Sequence, residues 1–141
     1  MKTKAKLSPQ IVGNVGMYYV CFKLSERGWN VMPTARNAKG IDIVAYKPDG
    51  KSFLGVQVKS FSKRCPIPLG PSLDKVMGDV WCVVVRKTDK EYVTYLLSPE
   101  EVKKGAHLDG KGSWWVNPKE YDLPEYRENW ERFFKIPDTE A

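Results

Sequence analysis

The hydrophobic positions of this chain predict a long helix followed by a series of strands. Two apolar stripes at helical spacing run between residues 8 and 27: Ile11, Val15, Tyr18 and Phe22 in the first, and Met17, Val20, Cys21 and Leu24 in the second. Ser8 and Pro9 suit the start of a helix, and Gly28 suits its end. We expect one stripe to pack on a sheet and the other on a second partner, either a C-terminal helix or another subunit.

Two apolar runs after this helix predict an antiparallel hairpin. They flank a turn sequence, Pro-Asp-Gly at residues 48–50, whose chemistry is typical of a connection between strands. In the second run, side chains alternate between the two faces of the strand, so Gln57 and Lys59 share a face. The hairpin therefore brings Asp42, which precedes the first run, close to Lys59.

The later part of the chain predicts two more strands and a closing helix. Residues 80–85 form the continuous apolar run of a central strand, and residues 92–97 are predicted to be its neighbour across a turn. Residues 60–73 are rich in Ser, Pro and Gly, which predicts an irregular segment. A helix that starts near Asp122 and covers the core is predicted from four aromatic residues at helical spacing: Tyr126, Trp130, Phe133 and Phe134.

Length and composition favour one soluble domain. A chain of 141 residues suits a single domain over residues 1–141, with enough length for a real core. No apolar run approaches the roughly 20 residues that span a bilayer, and the start of the chain lacks the apolar segment of a signal peptide. We therefore expect a cytoplasmic protein without a membrane partner.

The charge of the chain is divided unevenly. Residues 1–64 carry 12 Lys or Arg against 3 Asp or Glu, a balance of +9, whereas residues 65–141 carry 11 against 14, a balance of −3, within the total of +6. A basic half suits a polyanion, because Lys and Arg contacts to phosphates release counterions. Nucleic acid is the expected partner, with DNA favoured, although basic halves also occur in proteins that bind no polyanion.

A carboxylate, an amide and an ammonium gather at the edge of the predicted hairpin. Asp42 offers an anionic oxygen, Gln57 a neutral oxygen and Lys59 a positive charge, which together suit a hard divalent cation beside a phosphodiester. The same residues also have purely structural explanations. Asp42 can cap a strand end, Gln57 can face solvent, and Lys59 can protect an edge strand from unwanted pairing.

The pattern of Asp42 followed by Gln57-Val58-Lys59 resembles the motif of the restriction-endonuclease-like, or PD-(D/E)xK, nuclease superfamily. It is most similar to the small Holliday-junction-resolvase-like and Mrr-like branches, and residues 7–86 carry the resemblance. The resemblance implies an α/β fold with a three-layer core, in which a mixed sheet of about four or five strands is flanked by helices.

The resemblance also implies a role for each residue of the motif. Asp42 and the Gln57 side-chain oxygen, with the Val58 carbonyl, would hold Mg²⁺ or Mn²⁺ beside the scissile phosphate. Lys59 would orient the attacking water or stabilise the charge that develops in the transition state. The implied activity is the hydrolysis of phosphodiester bonds by a metal-dependent endonuclease.

Two departures from the family pattern lower the expected metal affinity. Gln57 is neutral, and Met17 stands where relatives often carry a glutamate on the helix. Asn14, one helical turn earlier, is a candidate to replace that glutamate in part, and a polar surface residue is its simpler explanation. The resemblance is also compatible with a homodimer.

Polar and basic residues on both sides of the hairpin are candidates for contacts to nucleic-acid phosphates: Thr34, Arg36, Asn37, Lys39, Lys63 and Arg64. An ordinary solvated loop is the alternative explanation for those before Asp42. Three functions remain open on the sequence: an active nuclease, a nucleic-acid-binding module that keeps the fold without catalysis, and an accessory subunit of a larger complex.

Overall fold

A computed structural model describes residues 6–35 and 40–138 of the chain. Its helices are α1 (Pro9–Glu26), α2 (Pro99–Lys104) and α3 (Pro118–Tyr121), and its short 3-10 turns are Leu73–Lys75 and Trp130–Arg132. The strands are β1 (Asn30–Pro33), β2 (Ile43–Tyr46), β3 (Phe53–Phe61), β4 (Ile67–Gly70), β5 (Val80–Arg86), β6 (Tyr92–Leu97), β7 (Ala106–Leu108) and β8 (Trp114–Val116). Across these two described ranges, no helix combines the length and apolar character needed to span a membrane.

A mixed sheet of five strands forms the centre of the fold, in the order β1-β2-β3-β5-β6. β3 and β5 run parallel, and the other neighbouring strands are antiparallel. One face of the sheet packs against α1, and the other packs against α2 and a second sheet in the order β4-β8-β7. The predicted fold class, a mixed sheet flanked by helices, is confirmed.

The bounds of α1 follow its predicted signals. The Ser8 hydroxyl oxygen accepts a hydrogen bond from the Ile11 N–H at 3.3 Å, and Pro9 occupies the first turn, where its missing N–H costs no hydrogen bond. Gly28 follows the helix with φ of 86°, a left-handed conformation that glycine adopts without a steric penalty. The start and the end of this helix are therefore set by local chemistry.

Only one of the two apolar stripes of α1 is covered. Val20 and Leu24 are fully buried against the sheet. On the opposite stripe, Ile11, Tyr18 and Phe22 remain 44%, 62% and 58% exposed. The second packing partner expected for α1 is therefore not a helix of the described chain, and a homodimer stays a prediction.

The predicted C-terminal helix is wrong. Residues 122–134 form turns, a β-bridge and a 3-10 turn, because backbone groups of Tyr126 and Glu128 pair with β6 while the rest of the segment forms short turn bonds within itself. The Glu128 N–H donates to the Thr94 carbonyl at 2.7 Å, and the Leu96 N–H donates to the Tyr126 carbonyl at 2.9 Å. The segment thereby covers the free edge of the sheet, which would otherwise expose unpaired backbone groups.

The aromatic residues of this segment still close the core, as expected. Trp130 and Phe134 are buried in the cluster beneath α1, and the Phe134 ring meets the Trp29 ring edge-on with centroids 5.4 Å apart. The Trp29 indole N–H also donates to the Lys135 carbonyl at 2.8 Å. The spacing of the aromatic residues therefore predicted their burial but not their backbone conformation.

The prediction of an irregular segment at residues 60–73 is also partly wrong. β3 continues to Phe61, and β4 pairs with β8 in the second sheet. Ile67 and Leu69 are buried while Pro68 between them is exposed, the alternation expected of a strand with one covered face. A proline is tolerated here because β4 lies at the edge of its sheet.

Candidate active site

The residues of the predicted motif meet at the end of the β2–β3 ladder. The last backbone bond of the ladder runs from the Asp42 N–H to the Val56 carbonyl at 2.8 Å. One residue pair further along, the Asp42 side chain replaces a backbone carbonyl as the acceptor for β3. Its Oδ2 accepts a hydrogen bond from the Val58 N–H at 2.8 Å. The prediction that the hairpin brings Asp42 to the Gln-x-Lys segment is confirmed in its geometry.

Alternation along β3 separates the packing residues from the polar ones. Val56 and Val58 contribute to the core beneath α1. Gln57 and Lys59 project from the opposite face, and the parallel register places Gln57 beside Trp81 of β5. The two candidate side chains therefore stand on the face of the sheet that α1 does not cover.

A cleft of about 270 Å³ opens on this face. Its lining combines β3, β4 and β5 with the residues around the first 3-10 turn: Gly40, Gln57, Lys59, Pro68, Leu69, Lys75, Val76 and Trp81. Two cations, one amide and several apolar side chains thus surround a space large enough for a phosphate group and part of a sugar. The cleft brings together residues from 40 to 81 that no local sequence pattern connects.

The Gln57 side chain contains an unpaired polar atom. Its Oε1 is buried and receives no hydrogen bond from any residue that the structure describes, a condition it shares with the Thr94 Oγ1 in the core beneath α1. A buried acceptor without a partner destabilises a folded protein by roughly 1–3 kcal/mol, so each such group calls for an explanation. The amide oxygen is consequently available to a ligand that enters the cleft, and it is the strongest indication of a binding site on this face.

The electrostatic environment of Lys59 is unusual. Burial lowers the pKa of its ammonium, the Asp42 carboxylate acts in the opposite direction, and the neighbouring Lys75 lowers the pKa further, for a net decrease. The Lys59 Nζ lies 5.5 Å from the centroid of the Trp81 ring, within the range of a cation–π contact. A bound anion would offset both the loss of hydration of this ammonium and its repulsion by Lys75.

The position of Trp81 is fixed by contacts behind the cleft. Its indole N–H donates to the Met77 carbonyl at 3.0 Å. The Asp79 carboxylate accepts from the Gly55 N–H, and the Asp79 N–H donates to the Gly55 carbonyl, both at 2.7 Å. These bonds hold the start of β5 against β3, and they set the register that places Trp81 beside Gln57.

Gly40 reaches the cleft because it has no side chain. Its φ is 74°, and a Cβ at this position would lie 2.2–2.3 Å from the Cγ and Sδ atoms of Met77. A side chain here would have to displace the Met77 side chain, and the positive φ itself favours glycine. The glycine therefore allows the backbone at residue 40 to approach the site closely.

The donor atoms near this strand end are oxygens, which suits a hard divalent cation, but the set is sparse and the Asp42 carboxylate is not among the residues that line the cleft. Asp42 retains Oδ1 when Oδ2 binds the Val58 N–H, and Gln57 supplies its unpaired Oε1. The Val58 carbonyl points to the same edge of β3 as the Val58 N–H, where β2 has ended. Residues 6–35 and 40–138 contain no cluster of three or more His, Cys, Asp or Glu side chains that could hold a metal, so the site has one carboxylate and two neutral oxygens.

The candidate phosphate-binding residues do not all lie at this cleft. Arg36, Asn37 and Lys39 lie outside the described residues. The Thr34 hydroxyl donates to the Ile41 carbonyl at 2.6 Å, so it braces the strand end next to Asp42. Its predicted phosphate contact stays a prediction.

The basic residues after β3 differ from each other. Lys63 is exposed, whereas the Arg64 Nε donates to the Asp122 Oδ2 at 2.8 Å. Arg64 therefore ties the end of β3 to the C-terminal segment, and its predicted contact to nucleic acid remains untested, like that of Lys63.

Asn14 lies on α1, on the other side of the sheet from Gln57 and Lys59. Close packing between α1 and β3 runs through Gly16, where a Cβ would lie 2.3 Å from the Ser60 Oγ. The Ser60 hydroxyl also donates to the Val12 carbonyl at 2.8 Å. The proposed role of Asn14 in the site stays a prediction.

Sequence reasoning missed Lys75 and Trp81. Trp81 was assigned only to an apolar strand, and its place beside Gln57 depends on a parallel pairing between distant segments. Lys75 lies in the turn Leu73–Lys75, and its sequence neighbours carry no motif. Only the tertiary structure brings these two residues to the cleft.

The sequence matches no known family model and no curated protein. Two solved structures are nevertheless similar over nearly the full chain. A bacterial homing endonuclease, I-Ssp6803I, matches with a TM-score of 0.64 and 16% identity, covering 91% of this chain and 94% of that chain. A Holliday junction resolvase, Hjc of the archaeal hyperthermophile Archaeoglobus fulgidus, matches with a TM-score of 0.57 and 15% identity, covering 89% and 98%.

Both of these proteins are nucleases by name, one a homing endonuclease and the other a Holliday junction resolvase. The chain has the restriction-endonuclease-like fold. The expected fold resemblance is thereby confirmed, at identities that describe the fold and leave the roles of individual residues open. Within the restriction-endonuclease-like fold of this chain, the cleft beside Gln57 and Lys59 is the site that its own geometry favours.

Proposed function

We propose that this chain is a divalent-metal-dependent nuclease that hydrolyses phosphodiester bonds of nucleic acid, with DNA as the favoured substrate. The observation that carries the proposal is the buried, unpaired Oε1 of Gln57 in a cleft shared with Lys59. The nuclease fold of the two structural neighbours supports it. The basic balance of residues 1–64 supports a polyanionic substrate.

Asp42, Gln57 and the Val58 carbonyl are the residues that would hold Mg²⁺ or Mn²⁺. When bound, the cation supplies positive charge next to a phosphoryl oxygen and polarises it. The hydrogen bond from the Val58 N–H keeps the Asp42 carboxylate at the strand end, so the protein contributes a preorganised anionic oxygen. Because Gln57 is neutral, the site binds its metal more weakly than a site with two carboxylates.

Lys59 acts on the phosphodiester directly. Its ammonium orients the attacking water or donates hydrogen bonds to the phosphoryl oxygens as negative charge develops. The Trp81 ring limits the directions that the Lys59 side chain can take. Lys75 adds a second cation on the rim of the cleft, where it attracts the phosphate backbone.

The test is a cleavage assay with Mg²⁺ or Mn²⁺ on linear, nicked, single-stranded and four-way-junction DNA, and on RNA. We expect Asp42→Ala and Lys59→Ala to lower the cleavage rate by at least about 100-fold, because each removes charge that acts on the reacting phosphate. Glu91→Ala and Lys87→Ala, which change the same charges at the exposed β5–β6 turn, serve as matched controls and should cleave normally. Unchanged cleavage by Asp42→Ala would reject the assigned site.

A second function is favoured by one specific observation. The site offers a single carboxylate, and Met17 is half-buried beneath the sheet where related nucleases often carry a glutamate. A nucleic-acid-binding module without catalysis, acting alone or as a subunit of a larger assembly, would bind with strong salt dependence and show no turnover with any substrate of the panel. Binding measured beside cleavage therefore separates the two functions.

A further inference from the structure

Two aromatic side chains at the far end of the β2–β3 hairpin have no role in the core. The rings of Tyr46 and Phe53 stack with centroids 5.2 Å apart and an interplanar angle of 22°. Phe53 is 51% exposed, and neither residue belongs to, or packs against, either of the two core clusters. The burial of apolar surface therefore does not explain why this hairpin carries an exposed aromatic pair.

The register of the hairpin places this pair on the same face as the candidate active site. Tyr46 is paired with Phe53, and Phe53 precedes Gln57 by four residues along β3, so their side chains share a face. At about 3.3 Å per residue the separation is about 13 Å, which a nucleic-acid strand spans in about four base steps at duplex spacing and in fewer steps when it is extended. A strand whose phosphate lies beside Gln57 can thus reach the aromatic pair.

The surface around the aromatic pair carries cations at both ends. Lys51 is exposed at the hairpin end, and Lys59 and Lys75 line the cleft at the other end, with the Asp79 carboxylate bonded to the Gly55 N–H between them. Sequence-tolerant binding of single strands combines these two features, cations for the phosphates and aromatic faces for the bases. Charge therefore favours a nucleic acid over a second copy of this basic chain as the occupant.

We propose that Tyr46 and Phe53 form a stacking platform for an unpaired nucleobase of the substrate strand, and this inference rests on the proposed nuclease function. A base within an intact duplex has both faces covered by its neighbours, so only an unpaired or displaced base can stack on Phe53. The substrate class that follows is nucleic acid with unpaired bases close to the scissile phosphate, such as a flap or an open junction.

The experiment measures binding without catalysis. All variants carry Asp42→Ala, no metal is added, and the probes are a fluorescein-labelled blunt duplex and the same duplex with a single-stranded flap. Phe53→Ala removes the platform, Phe53→Leu keeps an apolar side chain without an aromatic face, and Phe22→Ala removes a similarly exposed aromatic residue from α1 on the opposite side of the sheet.

We expect Phe53→Ala and Phe53→Leu to weaken flap binding about tenfold, or about 1.4 kcal/mol, and duplex binding less than twofold. Phe22→Ala should change neither. Equal losses on both probes, full binding by Phe53→Leu, or a loss with Phe22→Ala as large as with Phe53→Ala would overturn the platform. A dimer in sedimentation that Phe53→Ala dissociates would do the same, by assigning the face to a second copy. If the Asp42→Ala protein with Tyr46 and Phe53 unchanged binds neither probe, the proposed nucleic-acid function fails instead.

Discussion

The two faces of the central sheet differ in what lies beside their unpaired polar atoms. Among the described residues each face holds one buried side-chain oxygen without a partner, Thr94 Oγ1 beneath α1 and Gln57 Oε1 on the other face, but only Gln57 lines a cleft. On the face beneath α1, Val56 and its neighbours are fully buried in a closed apolar core. On the other face, Gln57 and Lys59, two residues apart along β3, place a buried oxygen and a partly buried cation beside the cleft. Alternation within β3 thus divides its side chains, since one set packs in the core beneath α1 while the other lines the cleft.

The largest expected effect lies on the closed face. Gly16→Ala would place a Cβ 2.3 Å from the Ser60 Oγ, and we expect this overpacking to lower the free energy of unfolding by about 2 kcal/mol. Gly13→Ala is the matched control in the same helix, because a Cβ there meets no atom within 4 Å. It should raise stability by up to about 1 kcal/mol through helix propensity. Urea denaturation of both variants measures the difference.

A double variant sharpens this prediction. Ser60→Gly removes both atoms that the new Cβ would contact most closely, so Gly16→Ala should be less damaging in that background than in the native chain. Equal losses in the two backgrounds would show that the close approach of α1 to β3 does not limit residue 16.

The next effect tests whether the face of the sheet that carries Gln57 and Lys59, here called the open face, holds a metal site. Gln57→Glu should raise the apparent affinity for Mn²⁺ about tenfold, equivalent to about 1.4 kcal/mol, by adding a second carboxylate. Without metal the same variant should change the unfolding temperature little, because the two cations of the cleft, Lys59 and Lys75, offset the cost of burying its charge. Thermal unfolding with and without Mn²⁺ measures both effects. Gln10→Glu, an exposed change in the first turn of α1, is the control, and an equal response to Mn²⁺ from it would contradict a site at residue 57.

A smaller effect concerns the cation of the open face. Burial lowers the pKa of Lys59 from 10.5, so the folded protein binds this proton less tightly than the unfolded chain does. The charged form therefore opposes folding, and its contribution to stability improves as the pH rises from the folded pKa toward 10.5. Lys59→Met should stabilise the protein by about 1 kcal/mol at pH 7, and the gain should shrink toward pH 10. The same variant should lose cleavage.

Lys75→Met serves as the control for this trade-off between stability and activity. Lys75 is exposed, so its replacement should change the free energy of unfolding by no more than about 0.5 kcal/mol at either pH. A stabilisation equal to that of Lys59→Met would trace the effect to the loss of any positive charge rather than to the burial of Lys59.

The smallest effect is expected for the ion pairs that Asp122 forms with Arg64 and Arg127. Burial acts to raise the pKa of Asp122, but hydrogen bonds from Arg127 and Arg64 outweigh it and lower the pKa to about 2. This stabilisation is fully present above the ordinary value of 3.8 and is lost as the pH falls through about 2. Asp122→Asn should reduce stability at pH 7 by no more than about 1 kcal/mol, the range of solvent-accessible pairs. Denaturation at pH 7 and at pH 2 checks the sign, since the two proteins should converge in acid.

Much of the motif geometry was predictable because it is local. The Pro-Asp-Gly turn, the alternation of β3 and the position of Asp42 before β2 together place Asp42 beside the Val58 N–H. The C-terminal segment was not predictable in the same way. Its aromatic spacing is compatible with a helix, but the free edge of β6 offers backbone partners that only a folded sheet provides.

The sequence by itself determined the elements whose signals lie within a few residues: α1 with its Ser8 cap and Gly28 stop, the β2–β3 hairpin and the buried β5 strand. These depend on backbone preferences and on alternation, which act over short distances. Only the tertiary structure decided that Trp81 and Lys75 join Gln57 in one cleft, and that the hairpin aromatic pair lies outside both cores. Those outcomes depend on the parallel pairing of β3 with β5 and on which part of the sheet the second sheet covers, contacts between distant segments that no local pattern encodes.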